Sequence, residues 1–325
     1  MGQISEPEQI MKQRAVIFGA SCLLELSLAY IFMGSVDLLN LMEITVNLMD
    51  GDGSQFVRVP YLPAMPLFTW AAGSLNVLWD LPAPFAYKII PIFFDSLLAV
   101  LVYDFALRAG NPRAFLAGLL YALCPMAVLI DSFHVQWEGL LIFFLMLAIH
   151  IRTFRAPGGT KYVLYGASLA MSVLIKPVSV IFIPFLVGGD GARVALDFLK
   201  NNLLYAAGGL GVGLIFLITQ QILGVDIMAR LPIIAGYANK GVTIIGLPFA
   251  EPFNEFAFLK SHIWLIGPVL YLLYFFFRGR INFPDAVLAA FLFILGFSGI
   301  STQYLAWPVA LFLATGGWHR GRFMF

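Results

Sequence analysis

The chain has 325 residues, 61% of them hydrophobic, 15% aromatic and only 11% charged, with a mean hydropathy of +0.90 and a formal net charge of +1. Soluble domains carry about 25% charged residues, so this composition excludes a soluble enzyme and a disordered chain. The near-zero net charge leaves no field to draw in nucleic acid. An all-α polytopic membrane protein, read as one transmembrane domain over 1–325, is the class that remains.

Spans follow from apolar runs of about 20 residues, the length a bilayer core requires. In chain order they are 15–34, 86–107, 112–130, 135–153, 202–223, 261–277, 283–300 and 302–317. The first is too long, and lacks the cleavage site, for a signal peptide. Between Lys161 and Gly188, Lys176-Pro177 interrupts the apolar run. Proline has no N–H and disfavours helix in the residue before it, so two short segments meeting at Lys176 are expected. The total is about ten membrane segments, two of them short.

Residues 61–84 carry Pro63, Pro66, Pro82 and Pro84 around a short apolar core. Basic residues concentrate on the cytoplasmic side, and this decides the placement. With 61–84 in a long first outer loop, 35–85, that carries interfacial helices, six of the 19 basic residues fall outside or within the membrane: Arg58, Lys88, Lys176, Arg230, Lys240 and Lys260. The rest lie in the cytoplasm; making 61–84 a span would reverse most of them. Both termini are therefore expected in the cytoplasm, with a second outer loop at 224–260. Cys22 and Cys124 sit in apolar runs and form neither a disulfide framework nor a zinc spacing. The chain has no Asn-x-Ser/Thr sequon, which fits the plasma membrane of a prokaryote.

Ionisable groups at membrane depth are costly and mark function, and many gather on the outer side, including Asp37, Asp50, Asp52, Asp95, Asp131, His134, Glu138 and Lys176. Asp37 closely follows the first span. It fits a helix N-cap and equally a base that takes a proton from a hydroxyl. Asp50-Gly51-Asp52-Gly53 offers hard oxygen ligands to a divalent cation, although an Asp/Gly turn is the simpler account. No cation is assigned there, and no cofactor is required. In Asp131-Ser132-Phe133-His134-Val135-Gln136-Trp137-Glu138-Gly139, helical spacing would put His134 and Glu138 on one face, suited to orienting a polar or phosphorylated substrate. Lys176, at a helix break, can meet a phosphate or extend its charge to the lipid headgroups. Ser301-Thr302-Gln303-Tyr304 lies in the outer turn before Trp307-Pro308.

Taken in order, these pieces resemble the GT-C superfamily of membrane glycosyltransferases. The resemblance rests on Asp37, Gly51, Arg58-Val59-Pro60-Tyr61-Leu62-Pro63, Phe94-Asp95, Leu123-Cys124-Pro125, His134-Val135-Gln136-Trp137-Glu138-Gly139, Leu174-Ile175-Lys176-Pro177 and Gln303-Tyr304-x-x-Trp307-Pro308. The His134 to Gly139 string is similar to a signature of lipid-linked mannosyl- and glucosyltransferases. Gln303-Tyr304 is similar to an element of the GPI-anchor mannosyltransferases, and the whole to GPI and dolichol-pathway enzymes. Glu138 stands where the family has Asp or Asn, and the Tyr-Pro-Pro string is interrupted as Tyr61-Leu62-Pro63.

The resemblance implies transfer of a mannose-like hexose from a polyprenyl-phosphate donor to a lipid, glycan or protein acceptor at the outer face, with inversion. Asp37 would be the general base. His134, Gln136, Glu138, Lys176, Gln303 and Tyr304 would bind the donor and its phosphate, and Arg58 and Tyr61 would line the acceptor groove. At 325 residues the chain is short for the superfamily, so a partner-dependent or non-catalytic subunit is the companion expectation. A transporter or lipid flippase is the alternative from another class, disfavoured by the absence of an internal repeat.

Overall fold

The computed structural model describes residues 7–32, 36–53, 64–134, 137–155, 158–183, 195–226, 270–272, 274, 283–297 and 306–315. Among these there is no strand. The helices are α1 (Pro7–Ile31), α2 (Val36–Met49), α3 (Ala64–Trp79), α4 (Ala83–Arg108), α5 (Ala114–Ala122), α6 (Pro125–Leu129), α7 (Glu138–Phe154), α8 (Gly159–Ile175), α9 (Ala195–Ile222), α10 (Phe283–Phe297) and α11 (Ala306–Thr315). A wide π-helical turn, Ile130–His134, follows α6, and a 3-10 turn, Pro177–Phe182, follows α8.

Four stretches are long and apolar enough to cross a membrane: Pro7–Ile31, Ala83–Arg108, Ala114–Phe133 and Lys200–Ile222. The ten expected segments are therefore not reached among the described residues. Helices α7 and α8 have 17 residues each, short of the roughly 20 that a perpendicular crossing needs, and the described parts of α10 and α11 have 15 and 10. Most of the expected 261–277 span, and most of the second outer loop 224–260, lies outside the described residues.

The first helix is described from Pro7, eight residues ahead of the expected span, and the charged residues of this stretch are paired. Lys12 bridges Glu8 at 2.6 Å, and Arg14 bridges Asp104 at 2.9 Å. The expected 112–130 span is interrupted instead of continuous. Cys124 is extended ahead of Pro125, which opens α6, as the steric conflict with a following proline requires. In 61–84, Pro66 is the one proline inside α3 and lies in its first turn, where an N–H would go unused. The anticipated loop thus holds helices α2 and α3, both packed on α4.

At the centre lies α4, much more deeply buried than α9. It runs antiparallel to α1 and is tied to it at both ends. At one end Arg14 meets Asp104, and Tyr103 donates to Gln13 Oε1 at 2.6 Å. At the other, Lys88 Nζ donates to the carbonyls of Ala29 (3.2 Å) and Phe32 (2.6 Å). Between lipid-facing helices there is no hydrophobic drive, so close backbone approach through small residues matters more. Helices α8 and α9 meet this way: a Cβ on Gly166 would strike the Tyr205 carbonyl, and one on Gly208 the Val163 carbonyl.

Two helix ends close against each other. After α2, Gly51 N–H bonds Leu48 O (3.1 Å) and Asp52 N–H bonds Asn47 O (2.8 Å), with Gly51 at φ +86°. After α9, Gly224 N–H bonds Gln221 O (3.3 Å) and Val225 N–H bonds Gln220 O (2.9 Å), with Gly224 at φ +67°. Both are Schellman caps, whose left-handed residue favours glycine. They touch backbone to backbone, since a Cβ on Gly53 would fall 2.6 Å from Gly224 O.

Candidate functional site

Three carboxyl groups from three parts of the chain meet inside the bundle. Glu25 comes from α1, Asp95 from the middle of α4, and Asp131 from the π-helical turn. One oxygen of each lies within 4.8 Å of one from each of the others. Their exposures are 0%, 1% and 1%. Ser21 donates to Glu25 Oε1 at 2.7 Å, from one helical turn below it, and Tyr121 donates to Asp95 Oδ1 at 2.8 Å. With all three acids ionised, Glu25 Oε2, Asp95 Oδ2, Asp131 Oδ1 and the hydroxyl of buried Ser132 find no hydrogen-bond partner among the described residues; a proton on one acid would link Asp95 to Glu25 or to Asp131.

Gly139, at the start of α7, closes the cluster. A Cβ there would fall 2.5 Å from Asp131 Oδ2 and 2.9 Å from Asp95 Oδ1, so the absence of a side chain lets α7 approach the acids. The neighbouring Glu138 is buried and forms an ion pair with Lys176, 38 residues away. Lys176 is extended, at φ −143° and ψ 138°, between α8 and the 3-10 turn. The break is braced by Ser172, whose hydroxyl bonds Leu141 O at 3.0 Å and lies 2.6 Å from Ser179 Oγ.

Aromatic packing surrounds these groups. Phe32 meets Phe133 edge to face at 5.5 Å, and Trp137 packs on Phe68 at 5.6 Å. The Phe32–Phe133 contact brings the end of α1, just ahead of the Asp37-bearing helix, against the π-helical turn.

Of the residues singled out in the sequence, the structure joins Glu138 to Lys176 and Asp95 to Asp131. Asp37 is the second residue of α2 and His134 the last of the π-helical turn; their side chains lie outside the described residues, as do Arg58, Tyr61, Gln136, Gln303 and Tyr304. His134 and Glu138 do not share one continuous helix: Trp137 sits in a bend, and α7 starts only at Glu138. Asp50 and Asp52 are exposed and flank the Gly51 cap of α2, so the helix end accounts for that turn.

Glu25 was passed over as a residue inside the first apolar run, along with Ser21 and Tyr121. The signal that could have found it is a lone carboxylate in a span with Ser21 four residues before it, on the same helix face. Compared with protein-family models, with curated proteins and with solved structures, the chain matches none of them.

Proposed function

We propose that the chain is an integral membrane glycosyltransferase of the GT-C type, transferring a mannose-like hexose from a polyprenyl-phosphate donor to a lipid, glycan or protein acceptor with inversion. Its site faces the outer side, in the plasma membrane of a prokaryote, with both termini cytoplasmic and the remaining apolar segments completing about ten. Asp37 is the general base. The observation that carries this reading is the Glu138–Lys176 ion pair at a helix break. A lysine already held by a buried carboxylate loses little further freedom on meeting a phosphate, and its charge stabilises the leaving phosphate as the sugar departs. His134, Gln136, Gln303 and Tyr304 complete the donor site, and Arg58 and Tyr61 line the acceptor groove. The chemistry needs no metal, because a lipid phosphate leaves without one.

The test is transfer of labelled hexose from a polyprenyl-phosphate donor by protein reconstituted in liposomes. Asp37→Asn should lower transfer by about 10²–10⁴-fold with donor binding intact, and Lys176→Met should weaken donor binding. Near-normal turnover of Asp37→Asn would sink the assignment of the base and favour a non-catalytic subunit.

A transporter or flippase is the second reading, favoured by the three carboxylates buried at membrane depth, since such groups line ion paths. Substrate-free proteoliposomes that move ions or lipid at a rate sensitive to Asp95→Asn would support it.

A further inference from the structure

We propose that Glu25, Asp95 and Asp131 form a binding site for one hard divalent cation of calcium size, which ties α1, α4 and the π-helical turn together. The site stands independently of glycosyl transfer. Calcium takes oxygen ligands at about 2.3–2.6 Å, and oxygens within 4.8 Å of one another need shift by only a few tenths of an ångström at most to share one ion. Hydrogen bonds from Ser21 and Tyr121 engage one oxygen of Glu25 and one of Asp95. With the acids ionised, the other oxygen of each, and Oδ1 of Asp131, face no donor, in side chains that are at least 99% buried. Buried polar atoms are almost always satisfied, and a missing ligand is one cause of an orphan.

Charge points the same way. Among the described residues, Lys88 donates to two helix carbonyls and Lys176 to Glu138, and neither is seen to bridge to these acids. Three ionised acids in one buried space need a counter-charge, which a divalent cation would supply in place of bound protons. Gly139 adds a steric argument, since any larger residue would push a methyl group into the space between Asp95 and Asp131. Oxygen-only ligands exclude the soft metals that favour thiolate.

The test uses the full chain, purified in detergent and stripped with chelator, then given Ca²⁺, Mg²⁺ or Mn²⁺ alone. Bound metal is counted by mass spectrometry, and thermal unfolding is followed in parallel. One calcium per chain is expected, with Tm raised by about 5 °C at roughly 100 times Kd, and weaker binding of Mg²⁺ and Mn²⁺. Asp131→Asn and Glu25→Gln keep the shape and remove a charge; each should weaken calcium binding at least tenfold. In chelator each should unfold no lower than wild type, because like-charge repulsion is relieved. Asp104→Asn, at the far end of α4, should bind as wild type does. Wild-type protein holding no calcium, or both amide variants holding it undiminished, would overturn the proposal; neutralisation of the acids by protons alone gives the first of these results.

Discussion

Lys88, wholly buried near the start of α4, closes the C-terminal end of α1 by donating to Phe32 O at 2.6 Å and Ala29 O at 3.2 Å. The last carbonyls of a helix lack intrahelical donors, and a cation there also answers the helix dipole. Lys88→Met keeps the length and removes both bonds. Hydrogen bonds to charged groups contribute about 1.5–3 kcal/mol, so thermal unfolding in detergent should show a loss of about 2–3 kcal/mol. Unchanged stability would mean that the ammonium does not cap α1.

Gly139→Ala sets two effects against each other. Alanine is the better helix former by about 1 kcal/mol, but its methyl would meet Asp131 Oδ2 at 2.5 Å and Asp95 Oδ1 at 2.9 Å. Overpacking a tight interior costs about 1–3 kcal/mol, so a net loss of about 1 kcal/mol is expected. Adding Asp131→Ala should relieve the clash, leaving the pair of substitutions less damaging than their sum. Strict additivity in unfolding measurements would deny the contact.

The ion pair between Glu138 and Lys176 is asymmetric, with the carboxylate 1% exposed and the ammonium 17%. Lys176→Met strips a buried carboxylate of this counter-charge and should cost about 3 kcal/mol. Glu138→Gln leaves behind the less buried partner, 17% exposed, and should cost less than that. Combining them should recover much of the larger loss. Chemical denaturation of the three variants measures all of this; equal single effects would contradict the difference in burial.

Gly208→Leu should force α8 and α9 apart, because Gly208 lies directly against the Val163 carbonyl. Gly211, which has open space around it, should accept leucine without that effect. Cysteine cross-linking between Tyr165→Cys and Tyr205→Cys, whose rings lie 5.1 Å apart, reads the separation. Undiminished cross-linking in Gly208→Leu would rule out a backbone contact at this point.

Much of the helical layout is legible because it rests on local properties. Helices α1, α4 and α9 are long apolar runs, and the break at Lys176 follows from Pro177 alone. The 112–130 span is met by the apolar stretch Ala114–Phe133, but its interruption at Cys124 leaves no mark in the hydropathy, which does not register the geometry that Pro125 imposes. The acid cluster was only half visible. Asp95 and Asp131 stood out as polar groups on the outer side, but Glu25 acquires meaning only through partners far along the chain. The same holds for Lys88, whose two acceptors are backbone atoms and leave no mark in the side-chain pattern.

The meeting of the Gly53 and Gly224 backbones has a consequence for the order of assembly. More than half the chain must be made after Gly53 before its neighbour exists, which at about 5–20 residues per second is roughly 10–30 s of synthesis. Through that interval the end of α2 stands without the surface that later covers it. The first third of the protein must therefore wait in the membrane, held by α1 and α4, until the ribosome delivers α9.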